Sequence, residues 1–141
     1  MIRIQNDWVP KRSTRWFIGA VTVFTAAGLA FFGLMGLLDP GVLVPGGDAE
    51  AARVFAGLMG PRNLALGGAA VVLLVMGRWR DLGLVLVLNA VVQAGDAILG
   101  AVRGELLQTV SPALIAVALV AAADVIRRSD STTHAVAAAR S

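Results

Sequence analysis

The chain has no cysteine, no tyrosine and a single histidine, and only 15% of its residues are charged. Without cysteine it can form neither a disulfide nor a thiolate metal site. The one histidine, His134, lies near the carboxyl terminus in a polar stretch, so paired histidines for a haem or a metal are absent. No Gly-rich phosphate loop is present, which argues against nucleotide-driven transport. No metal and no cofactor is expected. A water-soluble domain usually carries about 25% charged residues, so the scarcity of charge already points away from water.

What fills the chain is apolar sequence. Hydrophobic residues make up 57% of the 141, and the mean hydropathy is +0.79. They form long runs rather than short amphipathic patches. A membrane-spanning helix needs roughly 20 apolar residues, and four segments meet that length: 16–38, 51–77, 82–102 and 106–126. In lipid each backbone polar group must be satisfied within its own segment, which selects helices. The short links WRD and RGE make neighbours antiparallel. The expected fold class is therefore all-α, an integral membrane up-down four-helix bundle. Residues 1–15 form a basic amino-terminal segment, 16–126 the four-helix domain, and 127–141 a polar tail expected to be disordered. A cleaved signal peptide ending near residues 28–30 is disfavoured, because the first apolar run exceeds a 7–15-residue signal core.

Orientation follows from the flanks. Arg3, Lys11, Arg12, Arg15, Arg78, Arg80, Arg127, Arg128 and Arg140 fall on one side, against Arg53 and Arg103 on the other. Basic flanks stay in the cytoplasm, so both termini are expected there, in a multi-pass protein of the cell membrane. Trp8, Trp16 and Trp79 fall near the same face, as interfacial tryptophans do. The pI near 11.0 then reflects contact with anionic lipid, not nucleic acid.

Polar residues interrupt the apolar segments at a few places. Asn89, Gln93 and Asp96 recur at i, i+4 and i+7, which places them on one face of the third helix. A carboxylate at membrane depth costs at least about 2.5–3.5 kcal/mol, so Asp96 is expected to face inward. Counted at 1.5 Å per residue, Asp96 and Arg62 lie about 21 and 22 Å from the cytoplasmic boundary, one level for an ion pair. Asn63 is next to Arg62, while Gln108 and Ser111 enter from the outer end of the fourth helix. The expected site thus gathers Arg62, Asn63, Asn89, Gln93, Asp96, Gln108 and Ser111 in the outer third of the bundle. Pro61 and Pro112 leave the carbonyls of Gly57 and Gln108 without helical donors. Alternatively each proline starts its helix, with Ser111 as N-cap, and Arg62 snorkels to the outer interface. Gly57, Gly60, Gly67 and Gly68, with Gly28, Gly33 and Gly36, allow close helix packing. Thr22 and Thr25 are expected to bond back to their own helix.

GPRNLALG at residues 60–67, followed by AGDAILG at residues 94–100, resembles a family of small four-helix integral membrane proteins. That family is distantly DoxX-like and is known as a domain of unknown function. Gly60, Arg62, Leu64 and Gly67 fit the pattern of its second helix, and Asp96 stands where its third helix carries aspartate. Asn63 stands where the family has aspartate. The resemblance implies the bundle and the arginine–aspartate level over residues 16–126, and no particular activity.

Three classes of function fit these residues. One is a structural or accessory membrane protein whose polar face fixes helix register. Another is a binder of a lipophilic small molecule in an outer-half cleft. The third is a small isomerase or cyclase using Asp96 as acid or base, with no other intramembrane His, Cys or Tyr to help. The partners these readings allow are the lipid bilayer, a lipophilic small molecule, another membrane subunit, or a second copy of the chain.

Overall fold

A computed structural model describes residues 10–42 and 49–138, with side chains to Ser129. The interfacial placement of Trp8 lies outside the described residues. Four helices follow one another: α1 (Arg12–Leu38), α2 (Glu50–Val75), α3 (Trp79–Arg103) and α4 (Leu106–Ala138). A short 3-10 turn, Pro40–Val42, follows α1. There is no strand among the described residues. Each helix is long and apolar enough to cross a membrane, as the four apolar runs predict. The chain is thus all-helical, and its composition is that of a multi-pass membrane protein.

Two glycines stop helices. Gly77 (φ +68°) follows α2, and Gly104 (φ +72°) follows α3. In both turns the amide just past the glycine bonds back to a carbonyl five residues earlier: Arg78 to Leu73 at 3.0 Å, and Glu105 to Gly100 at 3.0 Å. This is the Schellman arrangement, which needs a left-handed residue and so favours glycine. The α2–α3 link lies earlier than expected, at residues 76–78, because Trp79, Arg80 and Asp81 already belong to α3. At the other end α4 continues through Ala138, so residues 127–138 are helical where a disordered tail was expected.

Consecutive helices pack as antiparallel hairpins. Between α1 and α2, Gly33 meets Gly60, Gly36 meets Ala56 and Gly67 meets Ala26. The partner number falls as the residue number rises, which is the antiparallel register. A methyl added at Gly60 would come within 2.9 Å of the Gly33 carbonyl oxygen, and one at Gly33 within 3.1 Å of the Gly60 carbonyl oxygen. Between α3 and α4, Gly83 meets Ile126 and Gly100 meets Gln108. Contact within each hairpin is much denser than contact between α2 and α3 or between α1 and α4.

The core shared by all four helices lies at one end. Ile18 of α1, Ala70 of α2, Trp79, Leu82, Leu86 and Ala90 of α3, and Leu119, Ala122, Ala123 and Ile126 of α4 form one buried cluster. This is the basic end, where Arg78 pairs with Asp81 and where Arg127 and Arg128 both pair with Asp124. Elsewhere the surface is mostly apolar. Phe24 is 72% and Leu107 81% exposed, which suits lipid as solvent and would be unfavourable in water.

Candidate polar site

The buried stripe of α3 runs through Leu82, Leu86, Asn89, Gln93, Ala97 and Gly100. Asn89 and Gln93 are on it, at 2% and 9% exposure. Asp96 is not: its side chain is exposed, against the expectation that it faces inward. The helix turns about 100° per residue, so Asp96 falls about 60° to one side of Gln93 while Ala97 falls about 40° to the other. The neighbouring helix decides which side is covered. α4 crosses α3 so closely at Gly100 that an added methyl would stand 2.6 Å from the Gln108 carbonyl oxygen. That contact draws the buried line through Ala97 and Gly100 and leaves Asp96 beside it.

The same contact accounts for Pro112. The proline lies inside α4 and takes the helical donor from the Gln108 carbonyl. This carbonyl packs against the Gly100 backbone, where a weak Cα–H donor can meet it. Gln108 therefore contributes backbone, while its side chain is exposed, and so is that of Ser111. Ser111 does not cap α4, which begins at Leu106. The alternative in which Pro61 starts helix two is likewise overturned, since Pro61 is inside α2.

Arg62 is exposed and donates to the Asn63 side-chain oxygen at 3.4 Å. Asn63 is half-buried, with its Cβ packed beside Gly33 of α1. Arg62 and Asp96 make no ion pair within 4.0 Å among the described residues. From the basic end Arg62 is 13 residues before Val75 and Asp96 is 17 beyond Trp79, or about 20 and 26 Å along the two helices. Side chains tilt toward their helix N-termini, so arginine and aspartate lean toward each other. The expected gathering of seven residues does not occur. Asn89 and Gln93 share the interior, Arg62 and Asp96 are exposed at neighbouring depths with Asn63 bonded to Arg62, and the Gln108 and Ser111 side chains stand apart.

Two polar residues join the interior from outside the expected set, Thr22 and Thr25 of α1, the latter at 6% exposure. Thr22 of α1 is 1% exposed, and its hydroxyl has no hydrogen-bond partner, contrary to the expectation that it bonds back to its helix. The side-chain oxygen of Asn89 is likewise buried without a partner. Thr22 is one turn beyond Ile18, and Asn89 three residues beyond Leu86. Asn89 thus stands just before Ala90, within the span of the shared core, and Thr22 at its edge on α1. The only sequence signal for Thr22 was its i+4 spacing from Ile18, which ordinary packing also produces. Chemically the two residues, each on its own helix, offer a hydroxyl and an amide acceptor, with Gln93 a turn beyond Asn89, and no acid–base group. No three His, Cys, Asp or Glu residues gather as a metal site among the described residues. A separate groove of about 480 Å³ opens at the basic end between α3 and α4, lined by Leu84, Val87 and Val120 with Arg80 and Arg127.

No family model, curated protein or solved structure matches the chain.

Proposed function

We propose that this protein is a small multi-pass protein of the cell membrane that holds a lipophilic molecule by one polar head in the interior of its bundle. The observation that carries the reading is the pair of buried, unpartnered polar atoms, Thr22 Oγ1 and Asn89 Oδ1. A buried acceptor left unsatisfied costs about 1–3 kcal/mol. Native interiors meet such groups with protein, ordered water or a ligand. A hydroxyl, an amide oxygen and the Gln93 amide, surrounded by Leu, Val and Ala, suit a guest with one hydrogen-bonding head and an apolar body. The guest's donor meets Asn89 Oδ1, and its acceptor meets Gln93 or the Thr22 hydroxyl.

The test is extraction of the native protein and of Asn89→Leu and Gln93→Leu variants in mild detergent, followed by mass spectrometry of co-purifying small molecules. The native protein is expected to carry a stoichiometric lipophilic species that both variants lose. A native protein carrying nothing beyond bulk lipid would end this reading. In that case the chain is a structural or accessory membrane protein. The observation favouring that second reading is the glycine crossing of α1 and α2, which is packed for rigidity.

A further inference from the structure

Arg62 and Asp96 stand in the apolar spans of α2 and α3, both side chains are exposed, and they do not pair within the chain. A charged side chain facing lipid is costly, and such residues usually meet each other, protein or a water-filled cavity. Arg62 is 12 residues past the start of α2, or about 18 Å at 1.5 Å per residue. It is not a helix-end arginine. The two charges are opposite in sign and, at about 20 and 26 Å from the basic end, lie about one helical turn apart in depth.

We propose that two copies of the chain associate about a two-fold axis normal to the membrane, with Arg62 of each copy paired to Asp96 of the other. Such an axis preserves depth, so a level holding one cation and one anion becomes its own complement. An isologous interface needs that self-complementarity. The result is a four-charge cluster alternating in sign, with lipid displaced from all four groups. The flanking surface admits a second helix. Ala65 and Ala69, at i+3 and i+7 from Arg62, are small and exposed. A methyl added at Gly95, beside Asp96, would meet nothing within 4 Å of its own chain. Small residues of this kind let helices of separate chains approach closely. Thr22 and Asn89 take no part, so this interface stands independently of the guest proposed above.

The decisive experiment uses two differently tagged copies of the full chain co-expressed in membranes, with co-purification as the readout. Native copies are expected to co-purify. Arg62→Asp and Asp96→Arg should each lose association with themselves at least tenfold, because each places like charges across the axis. Mixing the Arg62→Asp chain with the Asp96→Arg chain should restore it, since both cross-pairs then regain opposite signs. As a measurement that leaves the charges intact, the Gly95→Cys chain should form a dimer with a short bis-maleimide in native membranes. Single variants that associate as well as the native chain would overturn the proposal. So would a mixture no better than the singles, or native copies that neither co-purify nor cross-link. Rescue only when both changes are in one chain would also overturn it, and would place the pair within a monomer.

Discussion

Asn89 is the residue at which stability and the proposed guest binding oppose each other. Its side chain is buried within the span of the four-helix core, and its oxygen has no partner. Leucine has nearly the same reach and no polar atom. Replacing an unsatisfied group by an apolar one of similar shape is neutral or stabilising, whereas breaking a satisfied bond costs stability. Asn89→Leu is therefore expected to raise the stability of the guest-free protein by about 1 kcal/mol. It should also abolish the extra stability that the co-purifying guest confers. Thermal unfolding with and without the extracted guest measures both. A loss of stability in the guest-free state would mean that the Asn89 oxygen is bonded after all.

At the scale of the element, glycines divide by what surrounds them. At Gly100 an added methyl would meet the Gln108 carbonyl carbon at 2.5 Å and the Thr109 nitrogen at 2.8 Å, all backbone atoms that cannot rotate away. Gly100→Ala is expected to force α3 and α4 apart and to cost about 1–3 kcal/mol, the usual penalty of overpacking. At Gly68 an added methyl meets nothing within 4 Å, and glycine inside a helix is about 1 kcal/mol worse than alanine. Gly68→Ala is expected to be neutral or stabilising. The two variants compared in a thermal-shift assay separate a close-approach glycine from a merely small one. Equal effects would show that α4 does not press on Gly100. Gly60, whose added methyl would crowd both Leu37 and the Gly33 carbonyl, belongs with Gly100.

At the scale of the whole molecule, the four-helix core sits at the basic end, and burial elsewhere is set within each hairpin. The amino-terminal start of α1, the 76–78 turn and the Arg127–Arg128 stretch share that end, which carries most of the basic residues. With cytoplasmic placement of that end, Glu105→Cys, in the α3–α4 link, should react with an impermeant maleimide in intact cells. Ser131→Cys should react only after the membrane is opened. The native chain has no cysteine, so each variant reports a single position. The opposite labelling pattern would invert the orientation.

Composition and run length alone determined the four helices and their approximate ends, the carboxyl end of α4 excepted, because the need to satisfy every backbone group in an apolar medium leaves helix as the outcome. The α3–α4 turn was legible in RGE, whereas the α2–α3 turn falls at 76–78, before WRD; in both, a glycine meets the local need for a left-handed residue. The polar site was only half legible. Periodicity placed Asn89, Gln93 and Asp96 on one face, but a face is wider than the stripe that a neighbouring helix covers. Which part is covered depends on where α4 crosses α3, a contact between residues 100 and 108 made through backbone atoms and a proline-freed carbonyl. Depth counting put Arg62 and Asp96 near one level, yet depth carries no information about azimuth, so their exposure was decided by packing. Thr22 joined the interior for the same reason. A polar residue's depth follows from its place in the run, whereas its partner depends on how two hairpins with few sequence-local ties come to rest against each other.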